Sequence, residues 1–146
     1  NATEVESASD SGYLKLTREC RSGDCLTAEI PLPVERVRAH PRVTSASGRV
    51  ALELGPVVYA VEEADHGNGL TSLGVKRNTP LQMETDPQWG VTVLTGEAVR
   101  ETASDTLYQS DRTPQTETFS LRAIPYVWWG NRGEDEMRVW IRDYES

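Results

Sequence analysis

Residues 49–61 read Arg-Val-Ala-Leu-Glu-Leu-Gly-Pro-Val-Val-Tyr-Ala-Val, and this stretch decides the fold class. Its first half alternates apolar and polar residues, as a strand with one buried face does. Gly55-Pro56 ends that alternation. The second half, residues 57–61, is apolar at every position, which indicates a central strand covered on both faces. The stretch therefore predicts strands of a buried sheet.

The rest of the chain follows the same pattern. Its 146 residues are one domain's worth of chain, and they show no window with helical periodicity. Turn signals recur about every 8–12 residues, a spacing typical of all-β sandwiches and barrels. Apolar residues make up 37% of the chain, which suits a thin, two-layer structure. We predict an all-β, antiparallel, jelly-roll-like β-sandwich with no significant helix.

The inward positions of these strands predict the core. Its expected members are Leu16, Ile30, Val50, Leu52, Leu54, Val57, Tyr59, Val61, Val93, Phe119, Leu121, Val139 and Ile141. Residues 101–117 are polar and unpatterned, which predicts the longest loop.

The first predicted hairpin joins residues 14–17 to residues 26–32 through Arg21-Ser22-Gly23, with the glycine in the left-handed region. In this register the two apolar faces coincide, while Cys20 and Cys25 point to opposite sides. A loop one residue longer would set the cysteines opposite each other, but it would turn an apolar face against a polar one. We therefore expect two free thiols.

Residues 1–11 are predicted to be a flexible N-terminal tail, and Asn1-Ala2 is a candidate tag remnant. Residues 12–146 are predicted to form a single β-sandwich domain. Two alternatives remain open. The first hairpin could belong to a neighbouring sandwich of a longer protein, and a break near residues 64–72 could separate two sub-domains.

The net charge of −8 excludes two partner classes. An acidic surface repels phosphate backbones and anionic lipid, so we expect neither nucleic acid nor membrane as a partner. No apolar run approaches the roughly 18 residues of a membrane span, and no signal peptide is visible. A targeting segment of a longer protein would lie outside these residues, so the localisation is left open.

No residue is predicted to be catalytic or to bind a metal. His40 and His66 read as solvated loop histidines, without ligands at metal-site spacing. The acidic runs at residues 62–65 and 134–136 read as solvated strand ends rather than as glycosidase carboxylates. The chain contains no Gly-x-Ser-x-Gly motif, P-loop or Gly-x-Gly-x-x-Gly motif. Two cysteines alone are too few for a structural zinc site.

The aromatic residues near the C-terminus are the strongest local feature: Tyr126, Trp128, Trp129 and Trp140. If this segment is a strand, Trp128 and Trp129 point to opposite faces, one buried and the other exposed or in an interface. Core packing and a docking surface explain such a cluster, and so does a carbohydrate platform, because sugars stack on aromatic rings. We take all four as candidate carbohydrate or interface contacts.

The segment Asn131-Arg132-Gly133 predicts a turn, with the glycine supplying a positive φ. Arg132 is predicted to hold Glu62 or Glu136 by a bidentate ion pair. Both roles are structural.

Four segments together carry a family likeness. They are Gly48-Arg-Val-Ala-Leu-Glu-Leu-Gly-Pro-Val-Val-Tyr-Ala-Val-Glu-Glu-Ala-Asp65, Ala123-Ile-Pro-Tyr-Val-Trp-Trp-Gly-Asn-Arg-Gly-Glu-Asp-Glu-Met-Arg-Val-Trp-Ile141, the hairpin from Gly12-Tyr13 to Gly23-Asp24, and Pro31-Leu32-Pro33-Val34. Over most of residues 12–142 the chain resembles the C-terminal, non-catalytic β-sandwich region of glycoside hydrolase family 127, the β-L-arabinofuranosidase family. One departure is Cys20, where relatives usually carry Trp.

The resemblance implies a parent enzyme with an (α/α)6 barrel followed by β-sandwich domains. In that family a cysteine nucleophile on a zinc ion, cysteine and glutamate ligands, and a glutamate acid/base all lie in the barrel. No position of this chain matches them, so no catalytic or metal residue carries over and no cofactor is expected in this chain. The implied partners are the catalytic barrel of the same polypeptide and a second copy in a homodimer.

Three functions follow as hypotheses. The leading one is a structural accessory domain that is catalytically silent alone and leaves an apolar patch exposed where the barrel docks. The second is a carbohydrate-binding module that uses Trp128 and Trp129, whose fluorescence would respond to sugars. The third is a small autonomous hydrolase, whose activity would disappear on mutating Cys20 or Cys25.

Overall fold

The computed structural model describes residues 8–102, 106–108, 110 and 115–145. The candidate tag remnant Asn1-Ala2 and part of the predicted loop at residues 101–117 lie outside the described residues. The described chain divides into a first unit ending at Pro31 and a second unit, Leu32–Ser146. The predicted division into a tail, residues 1–11, and one domain, residues 12–146, stays a prediction.

Strands account for most of the regular structure, which confirms the all-β class. The strands are β1 (Ala8–Asp10), β2 (Tyr13–Lys15), β3 (Val34–Val37), β4 (Arg49–Leu54), β5 (Val57–Glu62), β6 (Leu73–Lys76), β7 (Leu81–Thr85), β8 (Thr92–Glu101), β9 (Thr116–Pro125), β10 (Met137–Arg138) and β11 (Ile141–Tyr144). One α-helical turn, α1 (Glu63–His66), and the 3₁₀ turns Thr44–Ala46, Leu70–Ser72 and Tyr126–Trp128 complete the described elements.

The first unit contains a two-stranded ribbon in which β2 pairs antiparallel with β1. The connecting residues Ser11 and Gly12 have φ angles of 51° and 84°, as a two-residue hairpin turn of the I′ type requires. The predicted pairing of residues 14–17 with residues 26–32 is wrong for this chain, because residues 26–32 form no strand and β2 pairs with β1. Cys20 and Cys25 are both exposed, free thiols.

The second unit is built on a closed barrel of six strands rather than on the predicted antiparallel sandwich. Around the ring, β4 pairs with β5, then come β9, β8, β6 and β11, and β11 returns to β4. The β6–β11 pair is parallel, while the other pairs of the ring are antiparallel. Strands β3, β7 and β10 add to β4, β8 and β5 outside the ring.

Closure depends on strands that pair with two neighbours along one edge. Strand β8 gives one edge to β9, so β7 and β6 must share its other edge. Likewise β4 gives one edge to β5, and β3 and β11 follow each other along its other edge. At each shared edge the sheet continues from one layer into the other, so the two layers join into a closed ring.

The core lies inside this barrel. Seven predicted core residues are buried: Val50, Leu52, Tyr59, Val61, Val93, Leu121 and Ile141. Four are half-buried: Leu16, Leu54, Phe119 and Val139. The prediction was wrong for Ile30 and Val57, which are exposed. Buried residues outside the predicted core include Leu70, Leu73, Val75, Leu94, Ala98, Val99 and Ile124.

Within the described ranges, no helix has the length and apolar character that a membrane span requires.

Candidate functional site

The most elaborate arrangement of side chains lies where β5 ends. Glu62 closes that strand, and the single turn of α1 brings Asp65 to the same side. Arg132 reaches both carboxylates. Its Nε donates to Glu62 Oε2 at 3.0 Å and its Nη1 to Asp65 Oδ1 at 2.7 Å. Nη2 donates both to Glu62 Oε2 and to Asp65 Oδ2, the second of these bonds being 2.5 Å long. The predicted pair between Arg132 and Glu62 is confirmed, and Glu136, the alternative, instead accepts from Arg138.

A second arginine, Arg122 of β9, extends this cluster. Its Nη1 donates to both oxygens of Asp65 at 3.1 and 2.9 Å, and its Nη2 donates to Asp86 Oδ2 at 2.5 Å. We name Glu62, Asp65, Asp86, Arg122 and Arg132 the arginine cluster. Two cations thus hold three carboxylates, and each carboxylate has an arginine partner. The site is therefore largely neutralised and serves to bind distant segments together.

Burial and pKa agree with this role. The side chains of Glu62 and Asp65 are 4% and 15% exposed. Burial opposes ionisation of Asp65, but the hydrogen bonds and charges of Arg132 and Arg122 outweigh it, and the pKa of Asp65 lies below its ordinary value. The pKa of Asp86 is also lowered, first by the backbone N–H of Trp89 and then by Arg122. The pKa of Arg132 is raised by its hydrogen bonds to Asp65 and Glu62.

The indole ring of Trp89 lies against both arginines of the cluster. Asp86 Oδ1 accepts from the backbone N–H groups of Gln88 and Trp89, both at 2.9 Å, which fixes the turn that presents this indole. The guanidinium carbons of Arg122 and Arg132 lie 5.8 and 5.4 Å from its ring centroid, within the range of cation–π attraction. One tryptophan therefore supports both cations of the arginine cluster.

His66 is the residue that the sequence placed wrongly. It was interpreted as a solvated loop histidine, but it is buried, with 8% exposure. Its Nε2 accepts the backbone N–H of Arg122 at 3.1 Å, so Nδ1 carries the proton and donates to the Glu62 carbonyl at 2.9 Å. Burial lowers the pKa of His66 and favours the neutral ring. His66 thus joins α1 to β9 beside the arginine cluster, whereas His40 is exposed.

The predicted aromatic residues divide into two groups. The expected alternation of Trp128 and Trp129 depended on a strand in this segment, and that condition is not met, because β9 ends at Pro125 and residues 126–128 form a 3₁₀ turn. Such a turn has three residues per rotation, so Tyr126 and Trp129 lie on one side. Their rings stack at 18° with centroids 6.3 Å apart, and they are 46% and 45% exposed.

Trp128 and Trp140 have other surroundings. Trp128 is half-buried and stacks on Trp89 at 17°, with ring centroids 5.7 Å apart. Trp140 is also half-buried, and its carbonyl accepts from Arg49 Nη1 at 3.1 Å. The 3₁₀ turn therefore separates Trp128, which packs inward, from an exposed pair of rings.

Val127, 80% exposed, completes this exposed surface. We name Tyr126, Val127 and Trp129 the aromatic platform. The arginine cluster holds the chain that directly follows the platform. Arg132 lies three residues after Trp129, and the backbone N–H of Gly130 donates to Glu62 Oε1 at 3.4 Å. The sequence indicated these aromatic residues, but not which of them shares a face.

Asp65 and Asp86 are unsuited to the general-acid role in glycoside hydrolysis. A general acid needs a carboxyl whose pKa is raised by an apolar environment, whereas the pKa values of Asp65 and Asp86 are lowered. Among the residues that the structure describes, no three His, Cys, Asp or Glu side chains come together as zinc ligands would. The part of the chain that the structure describes therefore offers no group of side chains that fits a zinc ion.

Comparison with known proteins connects this arrangement to a family. A family model described as the glycoside hydrolase family 127 C-terminal domain matches residues 34–142. The curated non-reducing end β-L-arabinofuranosidase of Bifidobacterium longum subsp. longum is 36% identical, over 83% of this chain and 20% of that protein. The chain thus spans about a fifth of the length of this curated relative.

Solved structures give the same result. A family 127 β-L-arabinofuranosidase from Geobacillus stearothermophilus T6 aligns with a TM-score of 0.73 and 42% identity, over 78% of this chain and 19% of that one. A family 127 β-arabinofuranosidase aligns with a TM-score of 0.77 and 28% identity, over 96% of this chain and 22% of that one.

Proposed function

This chain belongs to the family of glycoside hydrolase family 127 C-terminal domains, and from that membership we propose that it is the non-catalytic accessory domain of a larger glycoside hydrolase. The parent enzyme of this proposal resembles a β-L-arabinofuranosidase. Its catalytic residues, and the zinc ion that the family resemblance implies, would lie in a separate barrel. The role of this chain is to pack against that barrel.

The observation that carries the proposal is the aromatic platform. Exposed apolar side chains that lie together in one patch mark surfaces that a partner covers. Tyr126, Val127 and Trp129 are such residues, and they are consecutive or in ring contact. Because Arg132 fixes the segment that follows them, the platform is pre-organised, which lowers the entropic cost of docking. We assign the catalytic barrel of the same polypeptide as its partner.

The first test measures activity of the chain alone. Purified residues 1–146 are expected to leave an aryl β-L-arabinofuranoside intact, because the proposal places the catalytic residues in the separate barrel. Turnover that disappears on mutating Cys20 or Cys25 would reject the accessory role and support an autonomous hydrolase.

The second test measures docking in the longer gene product. Trp129→Ala should lower its melting temperature by several degrees, since a central aromatic contact is worth about 2 kcal/mol or more. Met83→Ala is the matched control, because Met83 is 58% exposed on β7 and lies outside the platform. Equal effects of the two variants would show that the platform does not dock.

A carbohydrate-binding module is the second candidate, favoured by the nearly parallel rings of Tyr126 and Trp129. Aromatic surfaces of this kind accept the C–H face of a sugar. Titration of the chain with arabino-oligosaccharides should then change tryptophan fluorescence, and Trp129→Ala should abolish the change while Trp140→Phe retains it. An unchanged spectrum would reject sugar binding. A homodimer contact through the same platform would appear as a concentration-dependent mass in sedimentation.

A further inference from the structure

The first unit has no core of its own. Of its described side chains, residues 10–31, none is buried and Leu16 alone is half-buried. The ribbon of β1 and β2 has two strands, and an isolated ribbon of that size is marginally stable in water. The unit therefore needs a partner surface to hold a defined structure.

Its exposed side chains have the pattern of strands. Leu14, Leu26 and Ile30 are 62%, 56% and 75% exposed. Leu14 and Leu16 alternate with polar residues, as do Leu26, Ala28 and Ile30, so each segment has one apolar face. Yet between Lys15 and Val34, where every residue is described, the structure contains no strand. These residues have the sequence of strands without a sheet to join.

The turn between the two segments is already formed. The backbone N–H of Asp24 donates to the Arg21 carbonyl at 3.1 Å, and Gly23 has a φ of 92°. The Asp24 carboxylate accepts from the Arg21 N–H at 3.0 Å and from Arg18 Nη2 at 2.6 Å. The tip of a hairpin is thus formed, while residues 16–20 and 25–31 on either side of it lie in no strand.

We propose that residues 13–31 form a hairpin that completes an antiparallel β-sheet belonging to the part of the longer polypeptide that precedes this chain. The N–H and C=O groups of residues 16–20 and 25–31, which lie in no strand, would extend that sheet by strand addition, and the apolar faces would enter its core. This inference rests on the proposed function in requiring a longer polypeptide.

Two observations favour this partner. The match to the C-terminal domain begins at residue 34, after the hairpin, so the hairpin lies outside that domain and on its N-terminal side. The alignment with one solved relative covers 96% of this chain, so only about six of the 146 residues of this chain are unaligned. Most of the first unit therefore has a counterpart in that relative. That relative continues well beyond the aligned region, because the alignment covers 22% of its chain. The part of that relative outside the alignment is where we expect the partner sheet of such a hairpin.

Hydrogen exchange tests the pairing. The amides of residues 25–31 should exchange rapidly in the 146-residue chain and at least about 100-fold more slowly in the longer gene product. Equal rates in the two proteins would overturn the inference while leaving the accessory role intact. Protection in the chain alone that increases with its concentration would also overturn it, since the partner would then be a second copy. A native gene product no larger than this chain would overturn both proposals.

A pair of variants tests the apolar face. Ile30→Asn and Glu29→Asn introduce the same side chain on opposite sides of one leg, and both positions are exposed in the chain. In the longer product, Ile30→Asn should lower the melting temperature by several degrees and Glu29→Asn should leave it within about 1 °C. In the 146-residue chain neither should have an effect. Equal melting temperatures for the two variants of the longer product would overturn packing of this face.

Discussion

Replacing Arg132 with methionine tests whether the arginine cluster holds the second unit together. The variant keeps most of the side-chain length but leaves Glu62, whose side chain is 4% exposed, without its guanidinium partner. Removing one partner of a buried ion pair costs about 3–5 kcal/mol. The Arg132 side chain is 23% exposed and Asp65 keeps Arg122, so we expect the lower end, about 3 kcal/mol. The lost cation–π contact with Trp89 acts in the same direction.

Urea unfolding of the 146-residue chain, followed by tryptophan fluorescence, measures this free energy. A loss of about 3 kcal/mol corresponds to a melting temperature roughly 9 °C lower for a domain of this size. The double variant Arg132→Met, Glu62→Gln should recover part of the loss, because it no longer buries an unpaired charge.

The matched control is Arg138→Met. Arg138 pairs with Glu136, but the two side chains are 37% and 38% exposed, and such pairs contribute about 0–1 kcal/mol. If Arg132→Met destabilises the chain no more than this control does, the arginine cluster does not hold the platform segment in place.

Three further predictions concern the second unit. The free energy of unfolding should be level above about pH 6.5 and should decrease as the pH falls below that value. The reason is that the pKa of His66 is lowered on folding, so the unfolded chain binds the additional proton. Because the pKa of Asp65 is also lowered, the free energy of unfolding should decrease a second time below about pH 4. A flat profile from pH 7 to pH 5 would contradict the lowered pKa of His66. Gly74→Ala should destabilise the chain by about 1–3 kcal/mol in urea, since a Cβ there would lie 2.1 Å from the carbonyl oxygen of Arg142 and push β6 from β11; unchanged stability would refute this close approach. Leu121→Ala should cost about 2–5 kcal/mol by leaving a cavity in the barrel core, measured in the same unfolding experiment, and a loss below 1 kcal/mol would argue against this core.

The strands and much of the core were predictable because their signal is local. Val50 and Leu52 are buried as their spacing predicts, and Tyr59 to Val61 are buried in succession as an apolar run predicts. The pair between Arg132 and Glu62 was also predicted, since a turn with an arginine and a strand end with a carboxylate are both visible in the sequence. The family likeness indicated which protein class the chain belongs to.

Other interpretations failed where the outcome depends on distant partners. Glu62 and His66 lie in a polar, glycine-rich stretch that reads as a solvated loop, yet both are buried because Arg132 and the backbone of Arg122 cover them. Trp128 and Trp129 read as alternating strand residues, but Pro125 ends β9 and a 3₁₀ turn follows.

The division follows from the range of the interactions. Residue type and period 2 act between neighbours, so the amino-acid order alone indicates which segments become strands and which of their faces is apolar. Ring closure by β11, the pairing of Glu62 with a residue 70 positions away and the exposure of Tyr126 beside Trp129 were decided only in the folded chain. Residues so far apart in the sequence show no local pattern that identifies them as partners. They come into contact only when the sheet closes, and their packing then stabilises that arrangement.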